Sequence, residues 1–243
     1  MRAWQRISAF CLMAFCLGAG ACAFAEAPNP VPPLDTILLR MAQARAENQT
    51  RLRPYKVTRA YRLFGQATQV TRSEVIADVT FVPPDVKHYE IRQANGLGLG
   101  ESIVRQMLDH ETDIVKNNGA NDLTAANYDF RFVREEERNG RRVYVLEILP
   151  RRKDKTLLRG HVWVDATTYR LHRTEGKPGK APSWWLRDSS IVLVYGDVEG
   201  MWLQTSSEST ASVRLLGAYS MQSRDLEYKV GNLPADARML IPQ

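Results

Sequence analysis

The residues predict an α+β fold: a curled antiparallel sheet with two main helices covering its concave face. Three observations predict it. Two stretches repeat apolar residues at helical spacing. Roughly nine to eleven others alternate with the period of a strand. Few connections after residue 128 have room for a crossover helix, so sequential strands there pair antiparallel. A sheet that wide curls rather than lying flat, and two helices on its hollow side are the economical way to bury it.

The chain opens with an export signal. Arg2 and Arg6 make a cationic start, Ile7 to Ala19 is an apolar run too short to span a bilayer, and Ala23-Phe24-Ala25 offers a small-x-small cleavage site. Residues 1–25 therefore read as a signal peptide and 26–33, with four prolines, as an extended linker. Residues 34–243 read as a single domain. Ala19-Gly20-Ala21-Cys22 supplies the alternative, a degenerate lipobox that would anchor the chain by lipid at Cys22. Cleavage after Ala25 would leave 218 residues and remove Cys11, Cys16 and Cys22, the three cysteines of the chain. The mature chain then has no disulfide framework, no thiolate metal site and no cysteine nucleophile. The full chain carries 33 basic and 27 acidic residues, an excess of six that falls to four without Arg2 and Arg6. The charges are interspersed, which speaks against a nucleic-acid face; the dense run Arg151–Lys155 reads as a solvated turn.

The elements follow in order. Leu34, Ile37, Leu38, Met41 and Ala44 form the stripe of a first helix. Tyr55 to Leu63 alternates until Gly65, and Val75 to Phe81 until Pro83-Pro84. His88 to Gln93 is a third strand, and Asn95 to Gly100 a glycine-rich turn. Ile103, Val104, Met107, Leu108, Glu111, Ile114 and Val115 mark a second helix, stopped by Asn117-Asn118-Gly119. A meander follows: Tyr128–Glu137 and Arg141–Leu149 about Asn139-Gly140, then Gly160–Val164 and Tyr169–Thr174 about Asp165. Ser190–Tyr195 and Met201–Ser206 flank Gly196 to Gly200, and Val213–Leu216 and Tyr219–Val230 complete the set. Gly176 to Ser183 reads as a loop.

Motifs of catalysis are missing from this reading. The four histidines, His88, His110, His161 and His172, lack a metal spacing, although His161 and His172 could face each other across the Asp165 hairpin. There is no Gly-x-Ser-x-Gly elbow and no P-loop, and the glycines of 96–100 lack the dinucleotide spacing. The expectation is a non-enzyme without cofactor or metal.

Two stretches carry a family resemblance. Val164-Asp165-Ala166-Thr167-Thr168-Tyr169-Arg170-Leu171 is a strand ending in Asp with threonines two and three residues on. Gly196-Asp197-Val198-Glu199-Gly200-Met201-Trp202-Leu203-Gln204-Thr205 is a late strand in which Gln204 stands where a proline is usual. With the element order, they resemble the LolA/LolB-like superfamily of periplasmic lipoprotein carriers. The resemblance implies an incomplete β-barrel whose helices lid a hydrophobic cavity, and a ligand of lipid or lipoprotein acyl chains, carried or sensed in the periplasm. The functional arginine and protruding loop of that group match no residue here.

The candidate ligand-binding positions are Leu38, Met41, Ile103 and Met107 from the helices, with Tyr144, Leu146, Ile148, Val162, Val164, Ile191, Leu193, Tyr195 and Leu203 from the strands. For any one of them a dry core is the default; the ensemble suggests a lidded pocket. Trp184 and Trp185, beside Lys177 and Lys180, are candidates for contact with a membrane or the cavity mouth. A regulatory or scaffold protein that uses the same fold to bind an envelope protein is the competing reading.

Overall fold

The chain enters its sheet in the middle. A computed structural model describes residues 30–65, 71–96, 98–116, 121–180, 186–213 and 217–231. It separates a segment, Met1–Val31, from a unit beginning at Pro32, and the following concerns that unit. The proposed signal, with Cys22 and Ala25, lies outside the described residues, as do Trp184 and Trp185. The elements are α1 (Leu34–Arg51), β1 (Tyr55–Phe64), β2 (Thr71–Val82), β3 (Val86–Gly96), α2 (Gly98–Lys116) and β4 (Tyr128–Arg138). Then come β5 (Arg141–Pro150), β6 (Leu158–Asp165), β7 (Leu171–Pro178), β8 (Leu186–Val198), β9 (Met201–Val213) and β10 (Gly217–Val230). The strands form one sheet in the order β3-β2-β1-β10-β9-β8-β7-β6-β5-β4. Every neighbouring pair is antiparallel. The edges β3 and β4 do not pair, so the sheet curls without closing. This is the α+β half-barrel the periodicities predict.

Two rows of paired residues cross the helix-bearing face, and they define its geometry because directly opposed residues of an antiparallel pair share a face. One runs Leu146, Val162, Thr174, Leu193, Ser207, Ser223, Tyr61, Val75. The next runs Ile148, Gly160, Gly176, Ile191, Ser209, Met221, Leu63, Ser73. Helix α1 sits on the first end: Ile37, with Leu34, Leu38 and Met41, packs on Tyr144, Leu146, Ile148, Val162 and Val164. Helix α2 sits on the other: Val104, Met107 and Leu108 pack on Val57, Tyr61, Val75, Ala77 and Val79. The expected arrangement, two helices covering one concave face, resolves into two separate cores, and neither core includes a described residue of β8 or β9.

Local chemistry explains the helix placements. α1 begins after Pro33, whose carbonyl accepts from the Ile37 amide, with Asp35 in the favourable first turn. At its other end Asn48 takes the role of a strand. Its side chain donates to the Trp202 carbonyl (2.9 Å) and accepts from the Trp202 amide (2.7 Å), on a stretch of β9 that β10 does not reach. α2 approaches β2 closely at Gly100, where a Cβ would come within 2.2 Å of the Ser73 hydroxyl oxygen. The glycine-rich turn is thus a packing device.

Three strand expectations change. β7 continues through Gly176 to Pro178, where a loop was expected, and begins at Leu171 because Tyr169 sits in the turn with φ of 56°. β9 runs through to Val213, the first residue of the expected short strand Val213–Leu216; residues 214–216 lie outside the described set. His161 faces Glu175 across the ladder, and His172 instead stacks edge-on against Trp202 at 4.8 Å.

Candidate functional site

The centre of the helix-bearing face differs from both its ends. At the α1 end Leu146, Ile148, Val162 and Val164 are fully buried; at the centre Ile191, Leu193 and Tyr195 of β8 are only half-buried. The register neighbours of Ile191 and Leu193 are small. Ile191 lies between Gly176 and Ser209, and Leu193 between Thr174 and Ser207. Ile191 and Leu193 thus stand between small residues, on the part of the face between the two helix-covered cores. The result is an apolar strip along β8 with a floor of small side chains.

The candidate residues divide accordingly. Leu38, Met41, Tyr144, Leu146, Ile148, Val162 and Val164 come together in the α1 core. Met107 joins the α2 core, and Ile103, also on α2, is half-buried. Ile191, Leu193 and Tyr195 form the central strip. Leu203 does not join them. It pairs with Gly196, while Tyr195 pairs with Gln204, so Leu203 points to the opposite face. The cause is a register shift on β9: Val194 opposes Ser206 and Tyr195 opposes Gln204, leaving Thr205 extra, and one extra residue inverts the alternation.

The sequence reading missed the hydroxyls. Thr174, Ser207, Ser223 and Tyr61 follow one another in the first row, interrupted by Leu193 alone. Ser207 and Ser223 bond to each other at 2.7 Å. The signal was present in Gln204–Ser212, where small polar residues fill a strand too long and too regular to be a loop. The Tyr195 phenol is hydrogen-bonded to Thr174, and burial outweighs that bond and pushes it up to about 12, so it stays neutral.

A buried charge cluster lies on this face at the α2 end. Arg59 is buried between Asp225 and Glu111, with Lys87 on Glu111 and the Tyr228 hydroxyl on Asp225. Two cations meet two carboxylates, so the cluster is balanced. Burial works against the Glu111 carboxylate, but Lys87 and Arg59 outweigh it and hold its pKa below the usual range. The cluster fastens α2 to β1, β3 and β10. Among the described residues no group of three or more His, Cys, Asp or Glu side chains is placed to hold a metal ion.

The two stretches that carry the family resemblance prove to be structural. The Asp165 carboxylate accepts from the amides of Thr167 (2.9 Å) and Thr168 (2.6 Å) and closes the β6–β7 turn. Burial opposes its ionisation, and those amides still hold its pKa low. In the second stretch Gly200 takes φ of 87° in the β8–β9 turn, and the Trp202 indole donates to the Leu171 carbonyl at 2.6 Å, tying β9 to β7.

Comparison with known proteins places the chain beside two groups. A family model described as a family of unknown function, DUF5686, matches residues 120–223, which span β4 to the middle of β10. No curated protein matches. Among solved structures, the chain is similar to an outer membrane lipoprotein-sorting protein domain from Vibrio parahaemolyticus, at 15% identity and a TM-score of 0.47, covering 83% of this chain and 97% of that one. It is similar to a LolA superfamily protein from Nitrosomonas europaea, at 14% identity and 0.43, covering 86% and 97%. It is also similar to a DUF1329 family protein from Desulfovibrio piger, at 13% identity and 0.45, covering 84% and 96%. The first two bear the names the sequence resemblance suggested. The architecture described above rests on the strand register of this chain.

Proposed function

We propose that this chain is an exported, non-catalytic binding protein of the periplasm that holds the acyl chain of a lipid or lipoprotein along the central strip of its inner face. One observation carries the reading: Ile191 and Leu193, which stand between small neighbours, and Tyr195 on the same strand stay half-buried, while Leu146, Ile148, Val162 and Val164 on one side and Val57, Val75, Ala77 and Val79 on the other are buried. An apolar strip of this kind gains about 25 cal/mol for each Å² that a ligand removes from water. The charged cluster at Arg59 is balanced and locked in pairs, which suits a structural role better than a catalytic one.

The competing reading, a docking protein for an envelope partner, requires a contiguous exposed apolar patch. The exposed large apolar residues among those described are Val31, Leu39, Val133 and Leu226. Val133 and Leu226 are the unpaired residues of two register shifts, on strands far apart in the sheet order, and so explain themselves locally. Native mass spectrometry of protein purified from the periplasm tests the proposal. Co-purified acyl lipid, displaced by an apolar fluorescent probe, is the expected result; neither lipid nor probe binding would overturn it.

A further inference from the structure

We infer that Gln204 reads the amide of an N-acyl ligand: the acyl chain follows β8, and the N–H that joins it to the rest of the molecule is bound where the strip ends against β9. The inference rests on the reading that the inner face holds an acyl chain, and adds which linkage the site selects. Gln204 stands directly opposite Tyr195, the last residue of the strip, and therefore on the same face. It is half-buried, and its carboxamide makes no hydrogen bond among the described residues.

β9 lacks a neighbouring strand on one side at this point. The β9–β10 ladder ends at the pair Ser206–Arg224, so Gln204 has no β10 residue opposite it. Two residues earlier, the backbone of Trp202 meets a carboxamide instead of a strand: the Asn48 side chain donates to its carbonyl (2.9 Å) and accepts from its amide (2.7 Å). Residues two apart in a strand turn their backbone groups to the same side. This edge thus already binds one amide, and Gln204 is the next position along it. Both Asn48 bonds go to Trp202, so Gln204 is left for a second.

The chemistry of the ligand follows from the side chain. A carboxamide offers an acceptor oxygen as well as donors, and an amide N–H is matched by that oxygen. An ester in the same place sets one oxygen against another. The linkage is neutral, as the surroundings require, because the cations of the buried cluster on this face, Arg59 and Lys87, are engaged by Asp225 and Glu111. The Tyr195 phenol is engaged by Thr174, and Ser207 by Ser223, so neither competes for the amide.

Three palmitoyl ligands test this: N-palmitoylethanolamine, its ester counterpart 2-hydroxyethyl palmitate, which differs only in O for N–H, and N-palmitoylglycinamide. Each is used to displace an apolar fluorescent probe from the exported full chain. At least one amide is expected to bind about tenfold more tightly than the ester. The ratio between the two amides then tells an amide-linked lipid from an acylated peptide as the source. Gln204→Leu keeps the bulk and should bring the amide-to-ester ratio to about one; Gln204→Glu keeps an acceptor and should preserve the preference. Because each ratio is taken within one variant, a change in folded fraction cancels. Equal binding of amides and ester to the unaltered chain, a ratio that survives Gln204→Leu, or one lost alike in both variants would overturn the role of Gln204 and leave acyl binding standing. Failure of all three ligands to bind would overturn acyl binding itself, and the role of Gln204 with it.

Discussion

Leu146 and Leu193 offer a controlled comparison, because they are the same residue on the same face and in the same cross-strand row, with Val162 and Thr174 between them. Leu146 is 0% exposed within the α1 core; Leu193 is half-buried on the central strip. Truncation to Ala removes three carbons, worth about 0.8 kcal/mol each when fully buried. At Leu146 a cavity term adds to this, giving a loss of about 3 to 4 kcal/mol, within the range for buried Leu→Ala changes. At Leu193, which is only partly buried, up to about a third of the transfer energy is already forgone and no closed cavity is left, so the loss is about 1.5 to 2 kcal/mol. At this chain length, about 1 kcal/mol corresponds to about 2–4 °C in melting temperature. Urea unfolding of both variants measures the difference, and displacement of an apolar probe measures binding. Leu146→Ala should lose stability and retain probe affinity at matched folded fraction; Leu193→Ala should do the reverse. Equal destabilisation with unchanged probe binding would show that the strip is closed core, and the site would have to be sought elsewhere.

Three further predictions address the supports. Glu111→Gln removes one of the two carboxylates that balance Arg59 and Lys87, leaving Asp225 on Arg59, and should cost about 1–3 kcal/mol at neutral pH. Because the folded Glu111 pKa is depressed, its contribution is full above the ordinary carboxylate range near ~4.3 and is lost as pH falls toward the folded value. The variant should therefore show a flatter acid limb in a pH series of denaturation midpoints. Asn48→Ala removes both partners of the Trp202 backbone and should cost about 1–3 kcal/mol, with the Trp202 amide exchanging faster by hydrogen-exchange mass spectrometry while amides in β5 hold their protection. Trp184→Ala and Trp185→Ala should differ in kind, one lowering thermal stability and the other weakening liposome binding; equal stability losses with unchanged liposome binding would remove the membrane-contact role.

The elements were legible because period-two and helical stripes are local. β1 alternates from Val57 to Leu63 except at Ala60, which is buried as well, and α1 starts at Leu34 where its stripe begins. What stayed hidden was set across the sheet. The extra residue Thr205 left no mark in composition, yet it turned Leu203 away from Tyr195. Gly176 and Pro178 suggested a loop because both residues usually break strands. In the folded sheet Gly176 faces Gly160, and a Cβ on Gly160 would come within 2.0 Å of the Glu175 carbonyl oxygen, so glycine is required for two strands to pass this closely. The Arg59–Asp225 contact joins positions 166 residues apart and could be seen only once β10 was known to lie against β1. The apolar members of the site were readable residue by residue; the hydroxyl row was not, since a row is a property of register.

The pairing of the first strand with the last has a kinetic consequence. β1, β2, β3 and α2 can assemble early, but one flank of β1 has no partner until β10 arrives. A chain delivered from its N-terminus must hold that strand edge open while all the intervening strands emerge, and the closing step spans nearly the whole domain. Such long-range closure slows folding by its entropy cost and exposes an unpaired edge in the interval. For a chain threaded across a membrane before it folds, the delay is useful: the N-terminal half cannot complete its sheet until the C-terminal strand has followed it.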